Sequence, residues 1–256
     1  MTFTFPEYES APGTEQFHRG LVAEHIEDVA FLYQHRLVCL AAPSAAWDEV
    51  APIEDRLSAH VDGIASSGQL GLRVAVEAAS GDPGELFAAV SSTCRSRHAA
   101  GLGEILQKFD SESPAALRAL TNALKYELPE EWRDYCARAV LKGDEKLVAS
   151  LAHVLGYRRW RADDVLLHRM KTAGPRALPA LLWALGRAGG AGARSVVRTM
   201  LGADDRQIAV AAFHAAARLE DVDSLNYLIS AAGAQGADTV SLGLVNGSSV
   251  TANLLD

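Results

Sequence analysis

Cysteine is scarce in this chain of 256 residues: Cys39, Cys94 and Cys136 are odd in number and far apart. That argues against a disulfide framework or a Cys-x-x-Cys redox or metal motif. Each thiol sits in an apolar helical pattern, so three buried free thiols in a reducing compartment, the cytoplasm, are expected. Long apolar runs are missing too. Charged or polar residues interrupt every candidate, including the alanine-rich stretch around Phe213, before it reaches the roughly 18–20 residues that a membrane-spanning helix needs. Residues 1–17 (MTFTFPEYESAPGTEQF) lack the basic and apolar regions of a signal peptide and carry Glu7, Glu9 and Glu15; they read as a flexible segment. Cations are the minority charge, 24 against 32 acidic residues, giving a net charge of −8 and a pI near 5.5. This balance disfavours general nucleic-acid binding, which draws its affinity from neutralising phosphates, and it favours a protein partner.

Catalytic and cofactor signatures are absent as well. The chain has no His-Glu-x-x-His, no Gly-x-x-x-x-Gly-Lys-Ser/Thr and no Gly-x-Gly-x-x-Gly behind a strand, so no metal, nucleotide or other cofactor is expected. Gly101-Leu102-Gly103 and Gly189-Gly190-Ala191-Gly192 are glycine-rich, but no strand precedes either, and both read as turns between helices. The eight histidines are scattered, with no three-ligand cluster in sequence.

What is present is helix. Alanine and leucine dominate, β-branched clusters are few, and apolar residues return every three or four positions after Phe17. Asp82-Pro83-Gly84-Glu85, Ser113-Pro114, Leu128-Pro129-Glu130-Glu131, Gly143-Asp144-Glu145, Gly174-Pro175 and Gly202-Ala203-Asp204 each read as one helix ending and another starting. Asp82 and Glu85 have the spacing of a capping box. Similar apolar stripes begin at Leu86, Leu117, Val148, Leu178 and Ile208, offset by 31, 31, 30 and 30 residues. Three residues further on lie Ala89, Leu120, Leu151, Leu181 and Ala211, all apolar. Partner segments fall between, at 102–109, 130–141, 162–170, 193–200 and 224–232. The expected fold is all-α: an α-solenoid of HEAT-like helical hairpins with a period of about 30–31 residues. The array is expected over residues 69–256, with 238–256 an incomplete last repeat.

The start departs from the period. Residues 18–41 suit one long helix and 47–65 a second, together an N-terminal helical cap over residues 18–68. This cap carries Phe31-Leu32-Tyr33-Gln34-His35-Arg36 and then Asp55-Arg56-Leu57-Ser58-Ala59-His60-Val61-Asp62-Gly63-Ile64. The text resembles the opening of a bacterial HEAT-repeat family encoded among type VI secretion genes. Members of that family share a Phe-Leu-Trp/Tyr…Arg helix followed by Arg-Leu-x-Ala-His-x-Asp-Gly-Leu. Arg56, Leu57, Ala59, His60, Asp62 and Gly63 match position by position, and Ile64 replaces the leucine. The similarity is close over residues 18–70 and generic beyond, and the family is usually longer, with a second half not recognisable here. The resemblance implies a secretion-linked cytoplasmic protein of a Gram-negative bacterium and no catalytic residues. Chemically, Arg36 or Arg56 is expected to clamp the two cap helices through a carboxylate. His60 and Asp62 are expected near a helix end that Gly63 terminates, with the imidazole bonding exposed carbonyls.

One patch departs from the acidic background. Tyr157-Arg158-Arg159-Trp160-Arg161, with Arg169 and Lys171 nearby, gathers cations and aromatics at a turn between helices. Arginines snorkelling over apolar helix ends account for it structurally. Functionally, Tyr, Trp and Arg are the residues enriched at protein-binding hot spots. The leading expectation is a non-enzymatic scaffold or adaptor that binds a secretion component or effector. An immunity protein that blocks a toxic effector, and a HEAT-fold enzyme acting on nucleic acid or a cofactor, are the alternatives.

Overall fold

A computed structural model describes residues 13–43, 46–223 and 226. The expectations for residues 1–12, for a helix over 224–232 and for an incomplete repeat over 238–256 lie outside the described residues. Among the described residues the structure is all-helical: twelve α-helices, one 3₁₀ turn and no strand. No helix among them is long and apolar enough to cross a membrane. The chain divides into two compact units between Phe109 and Asp110.

The first unit holds α1 (Thr14–Ala41), α2 (Trp47–Ser66), α3 (Gly68–Ala78), α4 (Pro83–Arg95) and α5 (Ala99–Lys108). Helix α1 begins four residues ahead of the expected position, just after Gly13, whose φ of 116° lets the chain turn sharply into the helix. It packs on α2, α3 and α4 through Val22, Ile26, Val29, Leu32 and Tyr33, all at most 3% exposed. The Tyr33 ring stacks on Phe87 of α4 at 4.4 Å. Helix α4 is buried on every side from Leu86 to Cys94. Its first turn lies against α1 at Gly84, where a Cβ would sit 2.6 Å from the Ala30 Cα. The capping box is formed: Asp82 Oδ1 accepts from the Gly84 and Glu85 amides at 2.6 and 3.0 Å, and Glu85 Oε2 accepts from the Asp82 amide at 3.1 Å. Helix α3 has no counterpart in the sequence reading. It starts at Gly68, φ 63°, and Ser67 before it makes no side-chain cap, its hydroxyl being bonded to the Gly63 carbonyl.

The second unit holds α6 (Pro114–Glu127), the 3₁₀ turn Glu130–Trp132, α7 (Arg133–Lys142), α8 (Glu145–Tyr157), α9 (Asp163–Met170), α10 (Leu178–Ala188), α11 (Ala191–Met200) and α12 (Arg206–Arg218). Helices α6, α8, α10 and α12 pack in succession, as do α7, α9 and α11. The shared core is Leu120, Ala123, Val148, Leu155, Leu181, Leu185, Ala212 and Ala215, each fully buried. Stripe positions Val148 and Ile208 are buried, whereas Leu117 and Leu178 are only half-buried at the edge of their helices. Two close approaches recur 30 residues apart. A Cβ on Gly156 would lie 2.9 Å from the Ala184 Cα, and one on Gly186 would lie 2.7 Å from the Ala215 Cα; a small residue is what lets each helix touch the next.

Arginines tie helices to main chain well away in sequence. Arg169 Nη2 donates to the Gly143 carbonyl at 3.2 Å, Arg187 Nε to the Gly156 carbonyl at 3.1 Å, and Arg194 Nη2 to the Leu219 carbonyl at 2.9 Å. Helix endings also follow a rule. Helices α4, α8 and α12 close on Arg97, Arg159 and Glu220, with φ of 54°, 54° and 53°. The next amides, His98, Trp160 and Asp221, donate to the Thr93, Leu155 and Ala216 carbonyls. This is a Schellman ending built on residues other than glycine. Helices α6 and α10 instead leave in an extended conformation at Leu128 and Gly189.

The thiols are free. Cys94 and Cys136 are 1% and 4% exposed, and burial pushes the Cys136 thiol up to about 12. Cys39, on α1, is only half-buried, which corrects the expectation of three buried thiols; it lies near the end of α1, beside the exposed Val38 and Leu40. Iodoacetamide at mildly alkaline pH should therefore add one group to the native protein, on Cys39, and three in urea. Intact mass and peptide mapping check this; native labelling at Cys94 or Cys136 would contradict it.

Candidate functional site

The cap motif is a contact centre of the first unit. Arg36 is buried, and its Nε donates to Glu54 Oε1 at 2.8 Å, joining α1 to α2. Arg56 is exposed. His60 does not bond carbonyls at a helix end. Its Nδ1 lies 3.0 Å from His25 Nδ1 and 3.4 Å from Asp28 Oδ2, both on α1. Nor does Gly63 end the helix, because α2 continues to Ser66. The Ser67 hydroxyl donates to the Gly63 carbonyl at 2.8 Å. Gly63 instead makes room for His25, whose Nε2 would lie 2.8 Å from an added Cβ. Asp62 accepts from Arg95 Nη1 of α4 at 2.9 Å, and the same nitrogen donates to the Ser58 carbonyl at 2.9 Å. The motif thus binds α2 to α1 through His60 and Gly63, and to α4 through Asp62.

In the second unit the structure divides the five residues of the basic patch. Trp160 is buried, and its indole N–H donates to Glu130 Oε2 at 2.8 Å. Arg158 lies over the Trp160 ring, 4.8 Å from its centroid, and donates to the carbonyls of Tyr126 and Leu128 at 3.2 and 3.1 Å. It therefore caps the carboxyl end of α6. Tyr157, Arg159 and Arg161 face solvent. Arg161 lies 3.7 Å from Asp163.

Around the three exposed residues the structure assembles a longer basic and aromatic edge. The Tyr157 ring meets Tyr126 edge-on at 5.4 Å, with Lys125 Nζ 5.8 Å from the Tyr157 centroid. Arg187 lies over Trp183 at 5.1 Å. Burial, then the charges of Arg218 and Arg159, lower the Arg187 pKa, and Tyr157 opposes them. Burial and the Arg218 charge also lower His214. Among the described residues, Arg159, Arg187 and Arg218 have no carboxylate partner. Arg187 thus lies within electrostatic reach of both Arg159 and Arg218, and cations without a carboxylate partner are the chemistry that an anionic group would meet.

Lys125, Arg187 and Arg218 escaped the sequence reading although a signal for them existed. They stand 62 and then 31 residues apart, within one residue of the offsets between the apolar stripes of the same helices, and each lies in the last turn of its helix. A cation there is favoured by the helix dipole. The successive packing of α6, α8, α10 and α12 brings those last turns near one another, which residues 157–161 alone conceal. Among the described residues no group of His, Cys, Asp and Glu is placed to hold a metal ion. No protein-family model, curated protein or solved structure matches the chain.

Proposed function

We infer that the chain is a HEAT-like α-solenoid that binds an acidic segment of a protein partner. In this reading it is a cytoplasmic scaffold or adaptor linked to bacterial type VI secretion, not an enzyme. The 30- to 31-residue recurrence of the apolar stripes on α4, α6, α8, α10 and α12, and the succession of neighbours α6, α8, α10 and α12, support the solenoid. The link to secretion rests on the resemblance carried by residues 31–36 and 55–64. One observation carries the binding function: Arg159, Arg187 and Arg218 gather with Tyr157 and lack carboxylate partners among the described residues, in a chain of net charge −8. Three such cations are too few for a nucleic-acid backbone. They suit a short run of Asp and Glu, with Tyr126 and Tyr157 as flat apolar contacts.

Affinity capture of the tagged chain from its bacterium, with secretion switched on, tests this. Arg159→Glu with Arg218→Glu should abolish recovery of the partner while stability stays within about 0.5 kcal/mol of wild type, since both residues are exposed. Undiminished recovery would sink the reading. Spike, tube or effector-loading proteins in the eluate would mark an adaptor. One stoichiometric toxin would mark an immunity protein, a role the −8 charge favours through steering toward a basic toxin.

A further inference from the structure

We propose that the outward face of α1 is a docking surface for a basic amphipathic helix of a partner protein. Four large apolar side chains stand out from it: Phe17 is 69% exposed, Leu21 42%, Phe31 66% and Val38 68%. At 3.6 residues per turn they fall in one stripe about 100° wide and about 30 Å long. Glu24 and Asp28 occupy the middle of that stripe, both exposed. The stripe therefore reads apolar, acidic, apolar. The opposite side of α1 is the buried face of Val22, Ile26, Val29 and Tyr33. A helix packed on one side normally turns a polar face to water; the outward face of α1 instead carries four large apolar side chains about two carboxylates.

The charges of α1 say what fits. Its two arginines are committed to the unit's own carboxylates, Arg19 to Glu77 at 2.7 Å and Arg36 to Glu54 at 2.8 Å. Glu24 and Glu27 have no cationic partner among the described residues, and Asp28 meets only the His60 imidazole, at 3.4 Å. A second copy of α1 is a poor complement. Antiparallel pairing centred on the stripe would set Asp28 against Glu27 and Asp28 of the copy, and parallel pairing would set Glu24 on Glu24. The complement is a helix with apolar side chains at both ends of one face and Lys or Arg between them. His35 continues the stripe, its ring 6.0 Å from that of Phe31, and gives the carboxyl-terminal apolar end a broad ledge. This surface has the opposite sign to the arginine edge of the second unit and does not depend on it.

Two synthetic helical peptides of about 22 residues, the length of the stripe, test the proposal on the full chain. Both carry the same leucine face; one has arginines at its centre and the other glutamates. Fluorescence anisotropy should show the arginine peptide binding at least about tenfold more tightly than the glutamate peptide, with the gap narrowing in high salt. Glu24→Lys with Asp28→Lys should reverse the preference. Glu24→Lys alone, which leaves the Asp28–His60 contact intact, should narrow it, so the test survives if the double variant melts early. Phe31→Ser should weaken the arginine peptide about tenfold with unchanged circular dichroism. Arg159→Glu with Arg218→Glu should leave peptide binding unaltered, which separates this surface from the other. Equal binding of both peptides, binding of neither, or no effect of Phe31→Ser would overturn the proposal. So would a dimer in sedimentation that Phe31→Ser dissolves, because the occupant would then be a second copy.

Discussion

Trp160→Ala should destabilise the second unit by about 3–5 kcal/mol, the usual cost of emptying a buried indole site. The ring is 6% exposed and bonded to Glu130, and it forms the shelf on which Arg158 lies while capping α6. The loss therefore reaches beyond α8 to the neighbouring helix. For a unit of this size the melting transition should fall by roughly 10 °C or more. Trp160→Phe keeps most of the apolar volume and loses chiefly the N–H···O bond, so about 1 kcal/mol of that cost should follow from the bond alone. Differential scanning calorimetry on the three proteins decides the matter. A Trp160→Ala protein that melts like wild type but fails to capture a partner would make this indole a binding residue rather than a packing one.

Acid should weaken the same unit through His153. Burial, and after it the Lys125 charge, lower its pKa from the ordinary 6.5 to about 4. The ring packs against Trp183 at 4.9 Å. Between these two values the unfolded chain binds a proton that the folded chain refuses. Falling pH therefore favours unfolding by about 1.4 kcal/mol per unit, or about 3 kcal/mol in all once pH reaches 4. Above 6.5 the group contributes nothing. His214 is lowered as well and acts in the same direction. Carboxylates titrate in the same window, so the informative quantity is the difference from His153→Leu. That variant should lose about 3 kcal/mol less stability than wild type between pH 7 and pH 4 by urea denaturation. Parallel losses in the two proteins would mean that His153 is protonated freely in the native state.

The helices were legible because their signals are local. Periodic apolar residues placed α4, α6, α8, α10 and α12, and Asp82, Ser113 and Asp144 announced starts that their side chains do cap. Helix α3 was hidden because it begins on Gly68, a poor helix former, only two residues after α2 ends at Ser66. Three endings carry no such signal: glycine is the usual left-handed residue just past a helix, but Arg97, Arg159 and Glu220 take that position themselves. The sites were less legible because their partners are distant. His60 pairs with His25 across 35 residues, Asp62 with Arg95 across 33, and Trp160 with Glu130 across 30. A pentapeptide of cations and aromatics looks like one surface, but alternate residues point apart. Arg158 and Trp160 go inward, whereas Tyr157 and Arg159 join cations from other helices. Reversing the charge of Arg158 would thus disturb a helix cap along with any surface contact.

The arginine ties have a consequence for divergence among related chains. Arg158, Arg169, Arg187 and Arg194 all donate to peptide carbonyls, on Tyr126 and Leu128, Gly143, Gly156 and Leu219 in turn. A peptide carbonyl is the same acceptor whichever side chain its residue bears. Each tie therefore constrains only the arginine end, and the accepting position drifts without penalty from this contact. Homologous sequences should keep these arginines while showing no correlated substitution at the residues they hold. These arginine-to-carbonyl contacts would then be ones that coevolution-based inference overlooks.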